Sequence, residues 1–227
     1  MTVTVPVPQD VPSAAEPSPP VMRPRIALPI RTERLLLRAV EPGDYAAVAA
    51  FRRRPDVARY LNGEPWTDLS GPAQFQDMAA RTGLHTPARS LAVVVVHDDG
   101  LVGHLGLRPT RSEHDAVCSV GWVFHPMHAG RGFATEAARA LLDAVFGAGV
   151  HRAEAHVDPR NTPSVRLCER LGMTREAHFR KDWWNKGEWA DSYVYGLLAA
   201  DRAAVPGNSR ESRGTPGAGH PLQQQEN

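Results

Sequence analysis

Residues 119–146 read SVGWVFHPMHAGRGFATEAARALLDAVF. The segment 117–124 is rich in Val, Trp and Phe, which predicts a β-strand. The last third of the stretch predicts a helix whose apolar side chains lie on one stripe: Ala134, Ala138, Leu141, Leu142 and Val145. Between the two, Gly130-Arg131-Gly132 predicts a tight turn, because glycine permits sharp turns and leaves room for a ligand. Since the first amides of a helix have no partner within it, the strand, turn and helix start together predict an anion site.

The spacing of the glycines excludes two common phosphate-binding loops. A dinucleotide-binding fingerprint requires a third glycine where Thr135 stands, and the Gly-Lys-Ser/Thr of a P-loop is absent. An ordinary glycine-bearing turn between a strand and a helix remains the alternative to an anion-binding loop.

Length and composition indicate one domain with tails. The chain has 227 residues, 42% of them hydrophobic, which is ample for a packed core. A Pro-rich tail over 1–25 and a Gly-, Pro-, Ser- and Gln-rich tail over 205–227 are predicted to be disordered, leaving a folded domain over 26–204.

Net charge, cysteines and apolar runs argue against several classes of protein. A net charge of +1 gives no reason to expect nucleic acid as a partner. Cys118 and Cys168 lack metal-ligand spacing and are expected to be reduced. The apolar run 91–96 is too short to cross a membrane, and no secretory signal is visible, so we expect a cytoplasmic protein. His125 and His128 are spaced like a metal pair, but without a third ligand we expect no metal.

The remaining periodicities predict alternating strands and helices. Asp44 and Ser70 are the candidate N-caps of the first two helices. The predicted strands are 34–40, 91–97, 101–107, 117–124, 152–157, 174–179 and 189–197. The predicted helices are 44–53, 68–82, the helix after Gly132, and 163–171. This order predicts an α/β (α+β) domain, a mixed sheet with helices on both faces.

The central loop, Ala129 to Ala134, resembles the pyrophosphate loop Gln/Arg-x-x-Gly-x-Gly/Ala of the GCN5-related N-acetyltransferase (GNAT) superfamily. Only Ala129 departs from the pattern, where Gln or Arg is usual. Four further segments resemble the ribosomal-protein alanine acetyltransferase (RimJ/RimL-like) branch: 30–38 (IRTERLLLR), 161–165 (NTPSV), 170–173 (RLGM) and 187–195 (GEWADSYVY). The resemblance implies a central sheet of six to seven strands, splayed in the middle, with about four helices.

The resemblance also implies a site for acetyl-CoA between the strands 117–124 and 152–157. A main-chain N–H near Val123 and Phe124 is expected to meet the thioester oxygen. The implied acetyl-CoA contacts are Val123, Phe124, His125, Ala129, Gly130, Arg131, Gly132, Phe133, Ala134, Thr135, Asn161 and Ser164. In the branch, the corresponding Asn reaches the cofactor arm and the Ser is proposed as general acid. Local chemistry alone gives Asn161 and Ser164 another role, as the start of a helix.

The general base is the least defined part of the expected site. Many family members carry a Glu two residues before the Gly-Trp pair, where this chain has Ser119. The nearby carboxylates are Glu113, Asp115, Asp182 and Glu188, of which Asp182 is the candidate base by resemblance, with a solvated loop residue as the alternative. The candidate acceptor-binding residues are Trp66, Ser119, Trp183 and Trp184, together with Tyr60 and Trp189, some of which are expected to belong to the core.

The resemblance implies an N-acetyltransferase that moves the acetyl group of acetyl-CoA directly to a primary amine through a tetrahedral intermediate. The amine is either an N-terminal α-amine or that of a small molecule, and the protein is a monomer or a homodimer. The alternative is a non-catalytic acyl-CoA-binding module on the same fold, for which Ser119 and Ala129 are the grounds.

Overall fold

A computed structural model describes residues 23–110 and 116–203. The strands are β1 Ile30–Arg31, β2 Leu36–Ala39, β3 Thr82–Gly83, β4 Ser90–His97, β5 Gly100–Pro109, β6 Val117–Phe124, β7 Arg152–Val157, β8 Thr174–Asn185 and β9 Glu188–Leu198. The helices are α1 Tyr45–Arg52, α2 Pro55–Ala58, α3 Gly71–Ala79, α4 Phe133–Gly147, α5 Thr162–Arg170 and α6 Ala199–Ala203.

The strands form one mixed sheet in the order β1-β2-β4-β5-β6-β7-β9-β8, with β3 pairing to β4. Neighbouring strands within the described residues are antiparallel except β6 and β7, which are parallel. The crossover that a parallel pair requires is supplied by α4. The pairing of the strands therefore changes from antiparallel to parallel between β6 and β7.

The predicted α/β class and mixed sheet are confirmed, and each predicted strand and helix is present. The bounds 117–124 and 152–157 match β6 and β7. The described residues contain more elements than expected, because β1 and β3 have two residues each, α2 has four and α6 five. Segments this short carry no periodic pattern.

Both faces of the sheet are covered. Along β4, Leu91, Val93 and Val95 pack into the core that contains α4 and α5. Ala92 and Val94 of the same strand pack into a second core with residues of α1 and α3. A strand buried on both faces reads as a continuous apolar run, which is what the sequence shows at 91–96.

The two predicted N-caps stand at the expected positions, but the prediction that their side chains cap the helices is wrong. Asp44 and Ser70 stand at the cap positions of α1 and α3, but neither side chain makes a capping hydrogen bond. Asp44 instead forms an ion pair of 2.8 Å with Arg38 and accepts a hydrogen bond from the Glu41 N–H. Burial raises the pKa of Asp44, but the bonds from Arg38 and Glu41 outweigh it and hold the pKa below its ordinary value.

The cysteines are as expected, since Cys118 and Cys168 are both buried and free. Burial raises the pKa of each thiol to about 12. Across 23–110 and 116–203, none of the helices is long and apolar enough to cross a membrane. Most of the predicted tails, residues 1–22 and 204–227, lies outside the described residues, so the predicted domain limits stay a prediction.

Candidate functional site

The site begins where β6 and β7 separate. The two strands pair only over Val117–Ser119 and Arg152–Glu154, and beyond these residues they diverge. The second half of β6 remains paired to β5 on its other side. The polar backbone groups of β6 that face the gap are therefore available to a ligand.

The backbone groups of successive residues in β6 point alternately toward β5 and toward the gap, which identifies the groups that face the gap. The His125 N–H donates to the Val102 carbonyl at 2.9 Å, and the Val117 carbonyl accepts from Thr110 at 3.2 Å, so odd-numbered residues face β5. Since successive residues alternate, the N–H groups of Trp122 and Phe124 face the gap. The donor expected near Val123 and Phe124 is thus assigned to Phe124, while that of Val123 faces β5.

A cavity of about 1270 Å³, here called the larger cavity, extends from the gap over the start of α4. It exceeds the roughly 300–1,000 Å³ of usual small-ligand pockets. Eleven of the twelve predicted acetyl-CoA contacts line it: Val123, Phe124, His125, Ala129, Gly130, Gly132, Phe133, Ala134, Thr135, Asn161 and Ser164. Arg131 is the exception.

The glycine loop has the geometry of an anion site. Gly130 and Gly132 have φ values of 78° and 80°, in the left-handed region that favours glycine. Among the described residues, the N–H groups of 130–135 donate to no backbone carbonyl, and the first such bond comes from Glu136 to Gly132. A set of free donors at the N-terminus of a 15-residue helix attracts negative charge.

Side chains outside the predicted set hold this loop. Arg34 donates to the Arg131 carbonyl at 3.1 Å and pairs with Glu136 at 2.6 Å, while Glu136 also accepts from Thr32. Burial raises the pKa of Glu136, but the bonds from Thr32 and Arg34 outweigh it, so the pKa lies below its ordinary value. Sequence reasoning missed Arg34 as a site residue, although it lies in the family-like segment 30–38.

Arg131 does not line the larger cavity. Its guanidinium pairs with Asp99 at 2.6 Å and lies 4.5 Å from the centre of the Phe133 ring. The contact of Arg131 with acetyl-CoA stays a prediction.

A second cavity of about 840 Å³, here called the smaller cavity, lies on the other side of the gap. Trp66 and Ser119, two of the predicted acceptor-binding residues, line it. Arg52 and His104 line it as well, and sequence reasoning missed both. Burial and the neighbouring Arg52 and Arg81 lower the pKa of His104 to about 3, so its ring is neutral at pH 7.

The two cavities meet in the gap. The residues that line both are Tyr60, Leu61, Trp122, Val123, Asn161 and Ser164. Asn161 caps α5, since its side chain accepts from the Ser164 N–H at 3.3 Å. The Ser164 hydroxyl makes no capping bond and instead accepts from the Trp122 indole N–H at 3.2 Å. The helix-start role thus belongs to Asn161, and the Ser164 hydroxyl points into the junction.

The structure does not bring the predicted hairpin residues to the site. Asp182, Trp183 and Trp184 line neither cavity. The pairing of β8 with β9 shifts register between Phe179 and Trp183, and Asp182 is exposed on this irregular stretch. Trp184 packs against Trp189 instead, with ring centres 5.5 Å apart. Glu113 and Asp115 fall outside the described residues.

The two carboxylates among the described residues that line the smaller cavity form ion pairs with arginines. Asp158 pairs with Arg160 at 2.6 Å, and Asp77 pairs with Arg81. Burial raises the pKa of Asp158, but the hydrogen bonds from Arg160 outweigh it and the pKa lies below its ordinary value, which makes Asp158 a weak base.

His125 and His128, the two histidines with metal-like spacing, lie close together in the structure. Their rings lie 5.8 Å apart, and the His125 Nδ1 accepts from the Met127 N–H. Within the part of the chain that the structure describes, no group of three or more metal-ligating side chains comes together.

Comparison with known proteins agrees with this geometry. A family model described as "Acetyltransferase (GNAT) domain" matches residues 34–174, more than half of the chain. The chain is similar to the Uncharacterized N-acetyltransferase YnaD of Bacillus subtilis (strain 168), with 32% identity over 170 residues, covering 74% of this chain and 96% of that protein.

Solved structures give the same result. An acetyltransferase of the GNAT family from Bacillus anthracis is 32% identical, with a TM-score of 0.68 over 76% of this chain and 99% of that chain. RimJ of Mycobacterium smegmatis, solved in complex with CoA-disulfide, is 25% identical, with a TM-score of 0.65 over 74% of this chain and 83% of that chain.

Proposed function

The chain belongs to the GNAT family of acetyltransferases, and on that premise we propose that it transfers the acetyl group of acetyl-CoA directly to a primary amine. The amine is an N-terminal α-amine or that of a small molecule. The observation that carries the proposal is the meeting of two cavities at Trp122 and Ser164, one of them lined by the glycine loop. The larger cavity holds acetyl-CoA, and the acceptor enters through the smaller one.

The backbone of the chain supplies the binding of acetyl-CoA. The free N–H groups of residues 130–135 bind the pyrophosphate at the positive end of α4. Arg34, Arg139 and Arg170 add positive charge around the same cavity. The Phe124 N–H, which faces the gap, donates to the thioester oxygen and stabilises the negative charge that develops there.

Ser164 is the proton donor of the proposed reaction. The amine nitrogen attacks the thioester carbon, a C–N bond forms, and the tetrahedral intermediate collapses with loss of the C–S bond. Because the Ser164 oxygen accepts from Trp122, its own proton is free to pass to the leaving thiolate. The proton that the amine loses returns to Ser164 through water, so the products are the N-acetylated amine and free CoA.

The acceptor amine reaches the site already neutral. Ser119 stands where many relatives carry a Glu, Asp158 is paired with Arg160, and His104 is neutral with a pKa of about 3. None of these groups removes a proton from an ammonium efficiently at pH 7. We therefore assign amines of lowered pKa, such as α-amines, as the preferred acceptors.

We also place the chain in the RimJ/RimL-like branch. The support is the four family-like segments and the likeness to RimJ of M. smegmatis. The segment 161–165 supplies Asn161 and Ser164 to the junction of the cavities, so the branch-like residues and the proposed chemistry coincide.

The proposed function is tested by measuring thiol release from acetyl-CoA over a panel of peptides with free N-termini and of small amines. We expect release that depends on the amine, with an equal amount of acetylated product by mass spectrometry. The binding module is favoured instead when acetyl-CoA binds by calorimetry but no amine in the panel is acetylated.

A further inference from the structure

Three buried polar atoms around the smaller cavity have no hydrogen-bond partner among the described residues. They are the Nε of Arg52, the Nε1 of Trp66 and the Nε2 of His104. All three residues line this one cavity. Buried polar groups in native proteins are nearly always paired with protein or ordered water. Three unpaired atoms on residues that line one cavity therefore favour a bound group that supplies the partners.

Arg52 provides the charge of this cluster. It ends α1 and its guanidinium lies 5.1 Å from the centre of the Trp66 ring. No ion pair connects it to a carboxylate in the described residues, whereas Asp77 and Asp158 are paired with Arg81 and Arg160. Burial and the neighbouring Arg81 lower the pKa of Arg52, yet a guanidinium keeps its charge at neutral pH. The unbalanced charge in this part of the cavity is positive.

The other two groups add hydrogen-bond donors. An indole N–H such as that of Trp66 only donates. The neutral ring of His104 is held by stacking on Phe51, with ring centres 5.9 Å apart, and its Nε2 donates in one of the two tautomers. Donors and a positive charge around one space match a ligand that presents acceptor oxygens and a negative charge.

We propose that the amine acceptor carries a carboxylate, which pairs with Arg52 and accepts a hydrogen bond from Trp66. This inference rests on the proposed function, because it places the amine of the same molecule at the junction beside Ser164. A carboxylate is preferred to other anions since one planar guanidinium matches its two oxygens. A polyamine is disfavoured, because its second cationic group would lie beside Arg52 without a counter-charge.

The test uses ω-amino carboxylates of increasing chain length, each matched with its carboxamide. Binding of each compound to the protein–CoA complex is measured by calorimetry, and acetylation is measured by thiol release. At the best length we expect the carboxylate to bind at least about tenfold more tightly than the carboxamide. Arg52→Met should remove this preference without changing the affinity for acetyl-CoA.

Arg53→Met is the matched control, because Arg53 is the next residue, pairs with Asp68 and lines neither cavity. It should keep the preference for the carboxylate. Trp66→Phe, which removes the indole N–H but keeps a ring, should reduce the preference in part.

Equal binding of carboxylate and carboxamide by the wild-type protein would overturn the inference, whether or not either compound is acetylated. A preference that survives Arg52→Met would overturn it as well. A preference that depends on Arg52, combined with no acetylation of any amine, the peptides with free N-termini included, would support the carboxylate site and contradict the proposed function.

Discussion

Substitution of Gly132 by valine tests the anion site of the glycine loop. Gly132 has a φ of 80°, and a Cβ at this position would lie 3.4 Å from the Arg34 guanidinium, which holds the loop. The left-handed conformation costs an L-residue roughly 1–2 kcal/mol. A free energy of that size changes an equilibrium constant by a factor of about 5–30. A branched side chain beside the phosphates adds to this free-energy cost.

We therefore expect Gly132→Val to weaken acetyl-CoA binding at least tenfold, which is about 1.4 kcal/mol. Isothermal titration calorimetry measures the dissociation constant, and a melting curve on the same sample reports whether the fold survives. The matched control is Gly147→Ala at the other end of α4, where an added Cβ meets nothing within 4 Å. This control should bind acetyl-CoA like the wild type.

An unchanged dissociation constant in a folded Gly132→Val protein would refute the assignment, because the pyrophosphate would then bind elsewhere. An equal loss of affinity in Gly147→Ala would also refute it, since the effect would then arise from α4 as a whole.

Three further predictions concern the reaction and the fold. Ser164→Ala should lower the turnover number by roughly 10²-fold in steady-state kinetics, with acetyl-CoA affinity nearly unchanged; turnover within threefold of wild type would end its proposed role as proton donor. N-terminal α-amines should be acetylated in preference to lysine side chains in peptide assays, because neutralising a lysine amine costs roughly 3 kcal/mol more; acetylation of internal lysines with N-termini ignored would contradict this. Asp44→Asn should destabilise the fold by about 1–2 kcal/mol in urea unfolding at neutral pH, because it breaks the pair with Arg38. Since the folded-state pKa of Asp44 lies below its ordinary 3.8, the wild-type advantage is present above that pH and lost as the pH falls through the folded-state value.

The long elements and the glycine loop could be predicted because local pattern determines them. The bounds of β6 follow from a run rich in Val, Trp and Phe, and those of β7 from alternating polar and apolar residues. The loop follows from two glycines before a helical stripe. Both glycines adopt the left-handed conformation for which glycine is needed. These features depend on neighbours in the chain rather than on distant contacts.

The smaller cavity could not be predicted in the same way. Arg52 and His104 come from α1 and β5, and only the packing of these elements against the sheet brings them to one space with Trp66. At the end of a helix, an arginine is ordinarily solvated, and a single histidine in a strand has no pattern that marks it. The partner of Ser164 is likewise remote, since Trp122 is 42 residues away in the chain.

The positions of the predicted hairpin residues could not be derived from the sequence for a related reason. Asp182 is a candidate base by resemblance, and Trp183 and Trp184 are candidate acceptor contacts as aromatic residues, but the direction of each side chain depends on the register of β8 against β9. That register shifts between Phe179 and Trp183, and a shift in pairing changes which face a side chain occupies. A sequence does not show where such an irregularity falls.

In the proposed reaction, acetyl-CoA and the amine occupy the two cavities at once and meet at Ser164. This arrangement is tested by calorimetry with a bisubstrate compound, in which the CoA sulfur is joined through an acetyl group to an accepted amine. Joining two ligands that bind together makes the second binding event intramolecular, so the compound should bind at least about tenfold more tightly than CoA alone. Binding no tighter than that of CoA would contradict the account, because the amine would then have no place beside the thioester.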